Sequence, residues 1–162
     1  MLKIRPAILD DLEPIREIYN DAILNTVATF DTVVKSPEDM KRWFGDHVPR
    51  YPVLAAEQDK RAVGWASLSR WSDRPAYDGT AEVSVYVAEA CWGRHVGRAL
   101  MEALIKAGRE RGFHTLVSRI VQGSDVSIHL HESLGFVHVG VLREAGRKFG
   151  RLLDVTIMQI LL

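Results

Sequence analysis

The chain has 162 residues, 47% hydrophobic and 26% charged, a balance that excludes disorder, collagen-like repetition and a disulfide scaffold. Twenty-one basic and twenty-one acidic residues cancel, so no overall field gathers nucleic acid or an anionic membrane surface. The length fits one domain over residues 1–162 with one core. Cys91 is the lone cysteine and cannot form an internal disulfide. The opening MLKIRPAILDD places charges where a secretory peptide needs an apolar run. No apolar run approaches the roughly 20 residues that cross a bilayer. A cytoplasmic protein with neither nucleic acid nor membrane as partner is the expectation.

In chain order, Leu2–Leu9 reads as a strand. Asp10, with Glu13 three residues on, reads as a capping box for a helix turning Leu12, Ile15, Ile18, Tyr19 and Ala22 to one side. Residues 25–35 are rich in Thr and Val without a period. Ser36, Pro37, Glu38 and Asp39 then supply an N-cap, an N1 proline and early acids for a helix with Met40, Trp43 and Phe44 inward, closed by Pro49 and Pro52. The runs 53–57 and 62–69 form a hairpin about the polar turn 58–61. After the loop 71–79, Ala81, Val83, Val85 and Val87 alternate with Glu82, Ser84 and Tyr86 in a strand over 80–87. The turn 92–98 leads into a helix with Leu100, Met101, Leu104, Ile105 and Gly108 inward, ended by Gly112. A strand over 114–121, a helix over 124–134 stopped by Gly135, and strands over 136–142 and 152–162 complete the order β-α-α-β-β-β-α-β-α-β-β.

Two places in this order can carry chemistry. The first is the turn after the 80–87 strand, because main-chain N–H groups opening a helix present partial positive charge and seat a pyrophosphate well. Gly93 and Gly97 let a phosphate approach, although two glycines there also serve as ordinary turn residues. The second is the later helix, where Ser124, Ser127 and His131 fall at i, i+3 and i+7 and form a polar stripe, which plain solvent exposure would also produce. Strand, phosphate turn, long helix, strand and polar-striped helix together suit a nucleotide-bearing thioester.

The segments SVYV at 84–87, WGRHVGRAL at 92–100 and SDVSIHLHESLGF at 124–136 resemble the GNAT superfamily of N-acetyltransferases. YNDAI at 19–23, TF at 29–30, RPAYDGTAE at 74–82 and RKFGRLLD at 147–154 narrow the likeness to phosphinothricin and methionine sulfoximine acetyltransferases. The resemblance implies an α/β architecture: a mostly antiparallel, seven-stranded sheet splayed into a V around acetyl-CoA, flanked by about four helices. It also implies acetyl-CoA as cosubstrate, no metal, a small-molecule amine as acceptor and a homodimer.

Residue by residue, it places cofactor contacts on the backbone of Val85, Tyr86 and Val87, on Gly93, Arg94, His95, Val96, Gly97 and Arg98, and on Ser124, Ser127 and His131. Three positions depart from the superfamily pattern: Trp92 stands where Gln or Arg is usual, His95 where a glycine is usual, and Ser124 where many relatives have Asn. In the left-handed region a side chain at 95 costs roughly 1–2 kcal/mol, which an imidazolium beside a diphosphate would offset.

Acetyl transfer to an amine needs a base for the ammonium proton and a donor for the thioester oxygen. By the resemblance Glu82 is the base, directly or through water, and the Val85 N–H is the oxyanion donor; a Glu on a solvent face is the plainer reading. His131 is assigned as a general acid or thiolate stabiliser, against a purely structural role. Arg74 would hold a substrate carboxylate, with Phe30 and Tyr77 lining the pocket; a solvated loop arginine and a core phenylalanine are the alternatives. His129 and His138 read as surface residues and Cys91 as a small buried one. The acceptor class expected is the α-amine of a small amino acid analogue such as phosphinothricin, methionine sulfoximine or methionine sulfone. A peptide N-terminus, polyamine or aminoglycoside is the competing acceptor, and a CoA-binding regulatory domain without turnover the competing class.

Overall fold

The computed structural model describes residues 1–162. Its elements are β1 (Lys3–Pro6), α1 (Leu12–Asn25), α2 (Pro37–His47), β2 (Val53–Gln58), β3 (Arg61–Arg70), β4 (Thr80–Val87), α3 (Val96–Glu110), β5 (Thr115–Val121), α4 (Asp125–Ser133), β6 (Val137–Lys148) and β7 (Arg151–Leu161). The order of strands and helices is the expected one. One seven-stranded sheet runs β1-β2-β3-β4-β5-β7-β6, antiparallel everywhere except between β4 and β5.

Local chemistry explains most of the element boundaries. Ser36 accepts the Asp39 N–H, and the Asp39 carboxylate accepts the Ser36 N–H, so α2 starts where its capping box stands. The β2–β3 turn places Asp59 and Lys60 at φ 52° and 63°, the left-handed pair that a two-residue hairpin requires.

At the N-terminus the expectation needs correction. β1 ends at Pro6, a short 3₁₀ turn occupies Leu9–Asp11, and Asp11 rather than Asp10 organises the entry to α1. Its carboxylate accepts the Ile8 N–H at 2.8 Å and both guanidinium amino groups of Arg5 at 2.6 and 2.9 Å, a contact with β1 that local spacing does not reveal. Likewise β6 continues past Leu142 to Lys148. The register shifts between Leu142 and Gly146, with Glu144 at φ 52°, and that bulge breaks the alternation on which strand recognition depends.

The sheet is covered on both faces. Ile15 of α1 and Met40 of α2 pack with Val53, Ala55 and Trp65 on one side. On the other, Leu100, Met101 and Leu104 of α3, all at 0% exposure, pack with Leu68, Leu116 and Met158. Burying each such side chain contributes about 1.5–3 kcal/mol, which sets α3 firmly across the sheet and fixes where its first turn points. No helix is long and apolar enough to cross a membrane.

Candidate active site

The site begins where the sheet divides. β4 and β5 pair only over Thr80–Glu82 against Thr115–Val117. Beyond Glu82 the β4 strand keeps β3 as far as Val87 opposite Gly64 but has no β5 partner. The Ala88 N–H donates to the Val63 carbonyl at 2.9 Å, so by alternation Tyr86, Ser84 and Glu82 turn their main chain toward β3. Val85 and Val87 turn theirs into the opening. There the indole N–H of Trp92 closes the Val87 carbonyl at 2.8 Å, which gives Trp92 a definite structural task. The Val85 N–H is left without a sheet partner.

The opening holds a cavity of about 690 Å³, whose lining includes Phe30, Glu82, Val85, Ser124, Ser127 and His131. With Tyr86, which also lines it, seven of the expected site residues are thus brought together. The side chain of Glu82, 20% exposed, meets Arg119 of β5 at 2.5 Å, and Arg119 stands 5.5 Å from the Trp71 ring centre. Sequence reasoning missed Arg119, although it interrupts an apolar strand in the same way that Glu82 does.

His131 is 2% exposed and edge-on to Phe136. Its Nδ1 pairs with the Ser127 carbonyl at 2.7 Å, which in the neutral ring assigns the proton to Nδ1 and leaves Nε2 as an acceptor. Burial pushes its pKa below the usual histidine range, so the neutral form prevails at pH 7.

Residues 26–31, aperiodic in sequence, form the facing wall. The Tyr19 hydroxyl bonds Thr29 and Asp31, and its pKa is driven up by burial and by the neighbouring carboxylate. Lys148, 4% exposed, donates to the carbonyls of Thr26 at 2.7 Å and Thr29 at 2.8 Å. The Phe30 ring lies over Gly146, where any Cβ would overlap it.

Tyr86 lines the cavity without giving it main-chain groups, and the remaining expectations are placed differently. The Tyr86 ring stacks on Trp65 and its hydroxyl donates to the Ala28 carbonyl, while its main chain faces β3; burial raises its pKa to about 12. Tyr86 therefore offers the opening no main-chain group. Arg98 is taken up by Ser133 and Glu102, and Arg94 is exposed. Arg74 and Tyr77 lie exposed around a 3₁₀ turn and are absent from the cavity lining. A Cβ at Gly97 would face Leu130 and Val87 in ordinary contact, so the missing side chain lies on the packed side of α3 and the N–H stays in the first turn.

The first turn of α3 has the geometry of an anion seat. Its first bond runs from the Ala99 N–H to the His95 carbonyl, so the N–H groups of Val96, Gly97 and Arg98 have no carbonyl partner. Gly93 at φ 71° and His95 at φ 62°, ψ 12° shape the approach, and His95 is left-handed as expected for its place. Replacing His95 by glycine is expected to raise stability by about 0.5–1.5 kcal/mol, less the entropy glycine costs the unfolded chain. Chemical denaturation would measure this; a destabilised variant would show that the imidazole makes a compensating contact.

The GNAT acetyltransferase domain family matches residues 4–157. The chain belongs to that family. It is 38% identical to the L-methionine sulfoximine/L-methionine sulfone acetyltransferase of Pseudomonas aeruginosa over 159 residues, 97% of this chain and 92% of that one. Among solved structures it matches a GNAT superfamily phosphinothricin acetyltransferase from Sinorhizobium meliloti in complex with acetyl-CoA, with TM-score 0.96, 32% identity and coverage of 99% and 88%. A ribosomal-protein-alanine N-acetyltransferase from Brucella melitensis matches with TM-score 0.97, 38% identity and 99% of both chains covered.

The splayed sheet is that of the GNAT acetyltransferases, and acetyl-CoA is the family's cosubstrate. The residues present suit it. The unpartnered first-turn N–H groups match a diphosphate, the free Val85 N–H faces the cleft, and Ser118 in the cavity lining buries its Oγ with no partner. An enzyme of the acetyltransferase class replaces the alternative of a CoA-binding domain without turnover.

Proposed function

We propose that the protein transfers the acetyl group of acetyl-CoA to the α-amine of a small polar amino acid analogue of the phosphinothricin, methionine sulfoximine or methionine sulfone type. The observation that carries the reading is the position of Glu82: the last β4 residue paired to β5, in the same cavity as Val85 with its unpartnered N–H. The amine nitrogen attacks the thioester carbonyl, the Val85 N–H stabilises the oxyanion, and the C–S bond breaks to release the coenzyme thiolate. Glu82 takes the ammonium proton before attack, directly or through water. The diphosphate sits on the first turn of α3, at 93–98, with Ser124 and Ser127 toward the cofactor. His131, neutral at pH 7, has its Nδ1–H committed to Ser127, so only its protonated form would donate to the thiolate through Nε2.

The test is thiol release from acetyl-CoA by purified protein with a panel of free amino acids, peptides and polyamines. Turnover with methionine sulfone or phosphinothricin is expected. Turnover confined to peptides would transfer the assignment to N-terminal acetylation, a second reading favoured by the name of the Brucella relative.

A homodimer belongs to the same proposal. The edge strand β6 exposes Val137, Val139 and Val141 at 59%, 58% and 56% around the register shift at His138–Gly140, apolar edge surface that a second copy would cover. Sedimentation equilibrium at micromolar protein checks it, and a monomer there removes it.

A further inference from the structure

We infer that Arg119 is the residue that binds the acceptor's carboxylate, so that the enzyme selects α-amino acids with a free carboxyl group. This rests on the acetyl-transfer reading above. In the parallel register Glu82 lies opposite Val117, and Arg119, two residues further on, points to the same face of the sheet. Its guanidinium reaches Glu82 at 2.5 Å with 54% of the side chain exposed. An ion pair this open adds little to stability, so the fold does not require an arginine here.

The charge inventory of the cavity singles it out. Among the lining side chains Arg119 is the only lysine or arginine. Lys148 is turned away to the Thr26 and Thr29 carbonyls, and Asp31 is engaged by Tyr19. Glu82 and Arg119 are therefore the charges left to a ligand. Side by side they complement a zwitterion: the α-ammonium takes Glu82, the α-carboxylate takes the guanidinium fork, and one ion pair is exchanged for two. The face of Trp71 steadies the plane of the fork.

Arg119 thus takes the role that motif matching gave to Arg74, which stands outside the cavity. A peptide N-terminus carries an amide in place of this carboxylate, and a polyamine brings only positive charge to Arg119.

The test compares kcat/KM for L-methionine sulfone with kcat/KM for its carboxamide, in the wild type, Arg119→Gln and Arg119→Lys. The wild type is expected to prefer the free acid by about 100-fold, the ratio that a bidentate charged contact supplies. Arg119→Gln should reduce that preference to nearly one, mainly through KM for the acid, and Arg119→Lys should keep part of it. Because Arg119 also touches Glu82, a general loss of rate would fall on both acceptors alike; the ratio isolates the carboxylate. Coenzyme A affinity measured by calorimetry checks that the site is intact. Equal kcat/KM for both acceptors in the wild type, or an unchanged preference in Arg119→Gln, overturns the assignment and leaves acetyl transfer standing. No turnover of either acceptor overturns the proposed amino acid acceptor, and the carboxylate site with it.

Discussion

Replacing Glu82 by glutamine is expected to lower kcat by about 100-fold or more while leaving coenzyme A affinity nearly unchanged. Glutamine keeps the size of the side chain and one acceptor oxygen, but it cannot take a proton at neutral pH. An α-amine reaches the cleft mainly as an ammonium, and nitrogen has no lone pair to offer the thioester until that proton leaves. Val85, three residues further along β4, keeps its free N–H in the variant, so oxyanion stabilisation survives and the loss reports the base. Thiol-release kinetics with calorimetry of coenzyme A separate the two effects. Wild-type turnover in Glu82→Gln would remove Glu82 from the chemistry. His131→Ala should cost less in rate, because the Nδ1–H of the neutral ring is already committed to the Ser127 carbonyl.

The largest effect on stability is expected at Lys148. Its ammonium is buried and bridges the Thr26 and Thr29 carbonyls across 122 and 119 residues of sequence. Lys148→Met keeps the length of the chain but removes both donors, leaving two carbonyls poorly satisfied. Charged hydrogen bonds are worth about 1.5–3 kcal/mol each, and release of the buried charge offsets part, so a loss of about 2–3 kcal/mol is expected. For a chain of this size that lowers Tm by about 5 to 10 °C. The wall carrying Phe30 loses its anchor at the same time, so KM for the acceptor should rise more than kcat falls.

A pH signature accompanies this change. Burial lowers the Lys148 pKa below 10.5, so on raising pH the native protein loses this proton before the unfolded chain does. Between those two pKa values the unfolded state binds more protons, and this group makes the wild type gain stability as pH rises; Lys148→Met lacks that contribution. Denaturation midpoints from pH 8 to 10.5 read it directly. A variant with wild-type Tm, KM and pH slope would remove Lys148 as the anchor of the wall.

The contrast between Glu82 and Arg119 shows how far the sequence carries. The alternation of Ala81, Val83, Val85 and Val87 marks the strand that carries Glu82, and the family resemblance singled Glu82 out on it, since alternation alone also suits a glutamate on a solvent face. Arg119 broke the apolar strand over 114–121 in the same way, but its partner belongs to a different strand, and no spacing reports a distance between strands. Arg74 drew attention through a motif and lies outside the cavity, whereas Lys148 stood in the RKFG segment with no sign that it faces Thr29.

By itself the sequence determined what short-range forces decide: the α2 capping box, the β2–β3 turn and the alternation of β4. Those depend on contacts within a few residues. Only the tertiary structure decided that β4 and β5 part after Glu82, that Asp11 answers Arg5, that Arg119 meets Glu82 in the cleft, and that Lys148 ties the Thr26 and Thr29 carbonyls. The physical reason is that these groups meet only after the sheet is assembled and its core buried, and chain separation carries no record of such distances.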